Sequence, residues 1–285
     1  MSHDPAAEAG KSGRISARGL VFDVLQWGPD SGRPVLLLHG FPQRNTSWTE
    51  IGRRLGEIGL RAVAVNQRGY SAGARPLDVA AYAMSELVAD ALAFIEALGG
   101  SADLVGHDFG GVVGWQVAAR HPERVRTWTA LSTPNQLAIN EELARSETAR
   151  ERFAYIRQFR EIGAAESSLL SDNAAGFRAL FGDAVPAAQV DADAAFFAQP
   201  GVLTAALNWY RAMNRHDADG LPPVRVPTTF VWGSADLAFG REAAENTRYH
   251  VEAPYRFEAL EGAGHWLLEE ATDTVAEAIA EQVGR

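Results

Sequence analysis

The sequence predicts an α/β protein in which helices cover both faces of a mostly parallel sheet and one helical segment interrupts the sheet. Short runs rich in leucine and β-branched residues alternate with longer amphipathic stretches, which is the pattern of repeated βα units. From about residue 134 to residue 223 no strand-like run occurs, and apolar residues follow helical spacing. A chain of 285 residues, 47% of them hydrophobic, can bury one large core and carry such an insertion.

The predicted elements follow one another in a simple order along the chain. Strands are predicted over residues 19–27, 35–39, 60–66, 102–106, 125–131, 228–232 and 255–260. Helices are predicted over residues 48–58, 79–98, 110–120 and 241–246, with a last helix from residue 266 onward. The small, polar residues at the start predict a flexible tail without a signal peptide. The expected domains are a tail (1–13), a core (14–133 and 224–285) and a helical cap (134–223).

The composition excludes several classes of function. The net charge of −10, with no cluster of lysine or arginine, argues against nucleic acid and against an anionic membrane surface as partners. The absence of cysteine excludes disulfides and thiolate metal sites, and the histidines lack metal-ligand spacing, so no metal is expected. The glycines at 106–114 lack the dinucleotide-binding register, so no cofactor is expected. The apolar runs are too short to cross a bilayer, which predicts a cytoplasmic protein. A monomer or homodimer is expected, although the sequence pattern does not distinguish the two.

Asp108 is the most informative residue, because it occupies the nucleophile position of a Gly-x-nucleophile-x-Gly turn between a predicted strand and a predicted helix. A serine there would attack an acyl carbon. A carboxylate instead displaces a leaving group from an sp³ carbon and forms an alkyl ester on the enzyme. Water must then cleave that ester, and this step calls for a histidine base.

Further candidates follow the ends of other predicted strands, where ligands collect in open α/β sheets. His265 is the expected base, and Asp236 is expected to orient its imidazole and stabilise the imidazolium. The backbone amides of Phe41 and Phe109 are expected to bind the oxyanion formed during ester hydrolysis. Each residue also has a structural alternative, since aspartates favour turns and helix caps and a histidine can bond to backbone. His39 and His107 are expected to brace and pack rather than to transfer protons.

Four motifs together connect the chain to a known family. They are His39-Gly40-Phe41-Pro42, Asn66-Gln67-Arg68-Gly69-Tyr70-Ser71, Gly106-His107-Asp108-Phe109-Gly110-Gly111 and Gly264-His265-Trp266. The chain thereby resembles the epoxide hydrolases of the α/β-hydrolase fold, in which nucleophile, acid and histidine follow in this order. The resemblance implies an eight-stranded sheet with an inserted cap. It also implies that two cap tyrosines, Tyr210 and Tyr155, donate hydrogen bonds to the epoxide oxygen.

The expected reaction is therefore the opening of an epoxide to a vicinal diol through an aspartyl ester. The site is expected to be lined by aromatic residues, which favours an uncharged, hydrophobic substrate. They are Phe41, Trp48, Phe109, Trp209, Phe196 and Phe197. The required protonation states predict maximal activity near neutrality.

Two alternatives use the same nucleophile. One is a haloalkane-type dehalogenase, although such enzymes commonly carry a tryptophan where this chain has Phe109. Fluoroacetate-type enzymes place arginines at the positions of Phe109 and Val112, which makes a small anionic substrate unexpected. The other alternative is a biosynthetic α/β-hydrolase that acts on a complex metabolite. A scaffold that only binds a ligand belongs to a different class, because fold alone does not imply chemistry.

Overall fold

A computed structural model describes residues 10–284 of the chain. Its sheet consists of β1 (Lys11–Ala17), β2 (Leu20–Trp27), β3 (Pro34–Leu38), β4 (Arg61–Val65), β5 (Ala102–His107), β6 (Val125–Leu131), β7 (Thr228–Gly233) and β8 (Tyr255–Leu260). The strands lie in the order β1-β2-β4-β3-β5-β6-β7-β8. Strands β3 to β8 pair in parallel, whereas β2 is antiparallel to both β1 and β4. The predicted mostly parallel, eight-stranded α/β-hydrolase fold is confirmed.

The helices follow the predicted alternation with the strands, apart from one long helical segment. The helices of the α/β units are α1 (Thr49–Glu57), α2 (Met84–Ala97), α3 (Phe109–Arg120), α10 (Arg241–Asn246), α11 (Leu267–Glu270) and α12 (Thr272–Val283). Between β6 and β7 lie α4 (Gln136–Arg145), α5 (Glu147–Arg152), α6 (Tyr155–Arg160), α7 (Ala164–Ala179), α8 (Ala187–Phe197) and α9 (Val202–Ala212). Helix α7 is interrupted at residues 172–174, whose φ angles are positive. Among the described residues, 134–223 contain no strand.

The sheet separates two layers of core packing. In β3, Leu36 and Leu38 join one apolar cluster, whereas Val35 and Leu37 join the other, as expected for alternating side chains of a strand buried on both faces. Helices α2 and α3 belong to the first cluster, and α1 and α12 to the second. Of these two clusters, the cap helices contribute to the first alone, so the cap covers one face and end of the sheet. Ile139 of cap helix α4 also packs with Phe239 and Ala243 in a small third cluster. No described helix has the length and hydropathy needed to cross a bilayer.

Several predicted boundaries are wrong. The predicted tail, residues 1–13, overlaps β1, which begins at Lys11, while residues 1–9 lie outside the described residues. The sequence pattern did not indicate β1, because this edge strand is mostly exposed and lacks an apolar run. The predicted helix 79–98 is divided at Ala83, whose ψ of 151° interrupts the helical backbone. The last predicted helix is likewise two helices, α11 and α12.

Candidate active site

Asp108 lies in a sharp turn between β5 and α3, at the carboxyl ends of the parallel strands. Its backbone adopts φ 52° and ψ −121°, a conformation that non-glycine residues rarely adopt. The turn requires close contact between α3 and β3: a Cβ atom added at Gly110 would lie 2.1 Å from the carbonyl oxygen of Leu38. Glycine at this position therefore allows the helix to begin directly above the sheet, with Asp108 at its N-terminus.

Two backbone amides hold the Asp108 carboxylate. The amide of Phe41 donates a hydrogen bond to Asp108 Oδ1 at 2.8 Å, and the amide of Phe109 also donates to the carboxylate. Gly40 permits this approach, because a Cβ there would lie 2.1 Å from Oδ1. The two amides predicted to form an oxyanion hole thus already contact the carboxylate. The second oxygen, Oδ2, faces His265.

His265 lies between two carboxylates. Its Nε2 is 3.4 Å from Asp108 Oδ2, and its Nδ1 is 2.9 Å from Asp236 Oδ2. The other oxygen of Asp236 accepts hydrogen bonds from the amides of Ala238 and Phe239 at 2.8 and 3.0 Å. The structure therefore brings together the three residues that the sequence predicted as nucleophile, base and orienting acid.

The charges in this site are strongly coupled. Burial lowers the pKa of His265, but the negative charges of Asp236 and Asp108 outweigh it and raise this pKa well above 6.5. Burial raises the pKa of Asp108, but the hydrogen bond and charge of His265 outweigh it and lower this pKa below its usual value. The resting site therefore contains an aspartate and an imidazolium. The neutral imidazole that a base requires is expected only when Asp108 has lost its charge.

Two cap tyrosines share the cavities that contain Asp108. Tyr155 in α6 and Tyr210 in α9 line both cavities, each of about 300 Å³, and their side chains are within hydrogen-bonding reach of each other. Burial raises the pKa of both phenols above 10, and the charge of Asp108 raises both further. Both hydroxyl groups are therefore protonated at neutral pH and can donate.

The cavity walls agree only in part with those predicted, since Phe109 lines one cavity and Phe41 lines the other. One cavity is bounded largely by the apolar side chains of Ile139, Leu143, Phe153, Ile156 and Met213, with Arg157, Arg160 and Arg215 also lining it. The other is bounded by Phe41, Phe159, Leu180, Leu237 and Trp266, together with Arg152 and His265. The two cavities have Asp108, Tyr155 and Tyr210 in common.

The other four predicted wall residues line neither of these two cavities. Trp48 is wrong as a substrate contact, because it is fully buried in the cluster on the other side of the sheet. Trp209 is also wrong, because it packs against Phe109 and its indole donates to the carbonyl of Arg68 at 2.8 Å. Phe197 is buried among other aromatic rings, and Phe196 stacks with the Arg44 guanidinium instead.

Residues 35–278 match the model of a protein family described as the alpha/beta hydrolase family. This chain belongs to the alpha/beta hydrolase family. It is 29% identical to epoxide hydrolase A of Mycobacterium tuberculosis over 94% of this chain and 95% of that protein. It is also 29% identical to epoxide hydrolase 4 of Mus musculus, over 92% of this chain and 76% of that protein.

A solved structure leads to the same relatives. The crystal structure of epoxide hydrolase A from Mycobacterium thermoresistibile superimposes with a TM-score of 0.86 at 28% identity, over 96% of this chain and 98% of that chain. The resemblance to epoxide hydrolases that the four motifs indicated is confirmed.

Sequence reasoning missed several residues that support the site of this alpha/beta hydrolase. The Thr133 hydroxyl donates to the backbone carbonyl of Asp108 at 3.0 Å, and the Ser132 hydroxyl donates to that of His265 at 2.8 Å. Both residues directly follow β6. Ligands collect at the carboxyl ends of the strands in open α/β sheets, so a search of the residues after every strand would have found them. Among residues 10–284, no group of three or more His, Cys, Asp or Glu side chains could hold a metal ion.

Proposed function

We propose that this protein hydrolyses an epoxide to a vicinal diol through a covalent ester on Asp108. The observation that carries the proposal is that two cap phenols and the Asp108 carboxylate line the same cavities. The phenols supply the donors that an epoxide oxygen needs as it becomes an alkoxide, which is a poor leaving group without them. The epoxide hydrolases among the relatives support the same reaction.

In the first step, Oδ2 of Asp108 attacks an epoxide carbon and the bond from that carbon to the ring oxygen breaks. The ring oxygen takes a proton from Tyr155 or Tyr210 and becomes the first hydroxyl group of the product. Asp108 is then an uncharged ester. Because the charge of Asp108 no longer stabilises the imidazolium, one proton passes in net from His265 to the phenolate, which leaves a neutral imidazole and a neutral phenol.

In the second step, neutral His265 removes a proton from water, and the oxygen attacks the carbonyl carbon of the Asp108 ester. The amides of Phe41 and Phe109 stabilise the resulting oxyanion, which they can do without rearrangement because they already bind the carboxylate. The intermediate collapses by breaking the carbonyl carbon to alkoxide oxygen bond. The departing oxygen receives the remaining proton of the added water, which forms the diol and restores the Asp108 carboxylate beside the His265 imidazolium.

The substrate that fits best is hydrophobic around its reacting carbons, because apolar side chains form most of both cavities. An uncharged substrate, a cytoplasmic location and a monomeric or homodimeric state stay predictions. A biosynthetic role would use the same residues. A dehalogenase is less well supported, because the indole of Trp209 is bonded to backbone and Phe109 has no side-chain donor for a halide.

The decisive experiment uses a His265→Phe variant, with His265→Gln as a second variant in case the first folds poorly. Each is mixed with an aryl epoxide and, in a parallel sample, with a haloalkane, and the intact protein is analysed by mass spectrometry. Without the base, the ester should persist. The matched control is the double variant Asp108→Ala with His265→Phe, which should form no adduct.

An adduct on Asp108 with the mass of the whole epoxide, absent after haloalkane treatment, would support the proposal. An adduct from the haloalkane alone, with halide released, would instead indicate a dehalogenase. No adduct from either reagent on a folded protein would contradict the covalent mechanism for these substrates.

A further inference from the structure

The backbone on both sides of His265 is held by a single carboxylate. Glu270 accepts a hydrogen bond from the amide of Gly264 at 2.7 Å through Oε2 and another from the amide of Trp266 at 2.9 Å through Oε1. A charged acceptor makes each of these bonds stronger than a neutral one would be. The carboxylate thus brackets His265 and restricts rotation of both adjoining peptide groups.

The carbonyl oxygen of His265 is held from the other side. It accepts hydrogen bonds from the Ser132 hydroxyl and from His107 Nε2, both at 2.8 Å. Burial and the nearby charge of His265 lower the pKa of His107 to about 4, so His107 is neutral and its proton lies on Nε2. Ser132 has a φ of 63°, a strained conformation for serine, and this backbone places its hydroxyl beneath the His265 loop.

These four bonds become more important during the reaction that the proposed function requires. In the resting site, the imidazolium of His265 is attracted by two carboxylates. When Asp108 becomes an ester, the attraction of its carboxylate for the imidazole is lost and the hydrogen bond to Asp236 remains. The other contacts of the ring are with the aromatic rings of Phe239, His107 and Trp266, which carry no negative charge. The ring must nevertheless keep Nε2 directed at the attacking water, so the fixed backbone has to supply the orientation.

We propose that Glu270, Ser132 and His107 are positioning residues that act chiefly in the second step, by holding the backbone of His265 after the ion pair with Asp108 is gone. The inference rests on the proposed function, because it presupposes an ester on Asp108. It assigns to residues outside the triad a role in ester hydrolysis rather than in ester formation.

The test measures the two steps separately. Glu270→Ala, Glu270→Gln and Ser132→Ala are mixed with excess aryl epoxide, and samples are quenched in acid and analysed by mass spectrometry for the ester and by chromatography for the diol. We expect hydrolysis to slow by roughly tenfold to a hundredfold, while ester formation changes by less than about threefold. The ester should therefore accumulate at steady state, and Glu270→Gln, which can still accept one bond, should lie between Glu270→Ala and wild type.

Glu277→Ala is the matched control, because Glu277 is an exposed glutamate of α12 near the same end of the chain. It should leave both steps unchanged. Thermal unfolding of each variant identifies loss of structure, and Ser132→Ala provides the answer if Glu270→Ala does not fold. Equal slowing of both steps, or no slowing of either, in folded variants would overturn the inference.

The pH dependence gives a second readout that a purely structural role would not change. Hydrolysis requires neutral His265, so its rate falls at acidic pH with the pKa of His265 in the ester form. In Glu270→Ala the backbone around His265 is held less firmly, which weakens the contact with Asp236 that raises the pKa of His265. We therefore expect the fall in the hydrolysis rate on the acidic side of the pH profile to occur at lower pH in this variant. An unshifted pH profile would count against positioning. If His265→Phe forms no ester at all, the proposed function itself fails. If His265→Phe forms the ester but the Glu270 and Ser132 variants slow both steps equally, only the positioning inference fails.

Discussion

The two cap tyrosines differ in their contacts although both line the cavities around Asp108. Tyr210 is nearly fully buried and packs edge-on against Phe109 and Phe41, with ring centroids 4.9 and 5.6 Å apart. Tyr155 contacts Phe159 and is packed only partly against the core. Aromatic packing alone would suit a phenylalanine at either position equally well. The proposed function therefore assigns the donor role to their hydroxyl groups.

Replacing Tyr155 or Tyr210 by phenylalanine should therefore slow ester formation without disturbing the fold. Each single variant should lower kcat/KM for an aryl epoxide by roughly tenfold to a hundredfold, and the double variant should lose more, because a second donor compensates in the single variants. The control is Tyr249→Phe, since Tyr249 is 72% exposed. A double variant that hydrolyses the epoxide at the wild-type rate would exclude the phenols as donors.

At the level of elements, the position of the nucleophile depends on how closely α3 packs on the sheet. The helix begins at Phe109, immediately after Asp108, and its first residues lie against the backbone of β3. The same contact brings β3 and the following turn, with the Phe41 amide, to the Asp108 carboxylate. Strand β3, the turn after it and helix α3 therefore form one unit. The position of Asp108 in this unit depends on the close backbone contacts that Gly40 and Gly110 allow.

Gly110→Ala should destabilise this unit. The added Cβ would lie 2.1 Å from a backbone oxygen of Leu38, which cannot move aside as a flexible side chain could. We expect a loss of unfolding free energy of about 1–3 kcal/mol, measured by urea denaturation, together with reduced ester formation because Asp108 is displaced. Gly284→Ala is the control, because its nearest neighbour would be at 3.4 Å. Unchanged stability in Gly110→Ala would show that α3 is not packed as described.

At the scale of the whole molecule, buried polar groups join the cap to the core. Glu269 in α11 accepts hydrogen bonds from the side-chain amide of Gln43, at 2.8 and 2.9 Å, and from that of Gln189 in cap helix α8, at 2.6 Å. Asp193, also in α8, pairs with Arg44 at 2.5 Å. Burial raises the pKa of Glu269 to about 7, despite the amide donors and with a further contribution from Asp193.

This shift makes the stability of the protein depend on pH in a defined direction. Because the pKa of Glu269 is higher in the folded state, its contribution is fully present below its ordinary pKa of 4.5 and is lost as the pH rises to about 7. Glu269→Gln should remove this loss, so its stability relative to wild type should increase over that range by on the order of 2 kcal/mol. Urea denaturation of both proteins between pH 4.5 and 8 measures the difference.

Glu277→Gln, which changes an exposed carboxylate, should follow the wild-type pH dependence. Parallel stability curves for wild type and Glu269→Gln would contradict the raised pKa of Glu269.

The sequence by itself indicated the family and the main architecture of this protein, and it singled out three residues that the structure brings together. Asp108, Asp236 and His265 could be found because each follows a strand run, and local patterns of apolar residues and glycine fix where strands and turns lie. The cap was also predictable, since ninety residues without a strand pattern form helices between β6 and β7. The exposed strand β1 was not, because its pairing with β2 depends on main-chain bonds rather than on an apolar run.

Only the tertiary structure decided which side chains face the substrate and how the site is charged. Trp48 and Trp209 are hydrophobic like true wall residues, yet the direction of each ring depends on packing between elements distant in sequence. The raised pKa of His265 and the two hydrogen bonds to its carbonyl oxygen arise from residues far from it in the chain, such as Asp108 and Ser132. Residue type and spacing establish which chemistry is available, whereas distances across the fold decide protonation, orientation and shape, because electrostatic and packing energies depend on those distances.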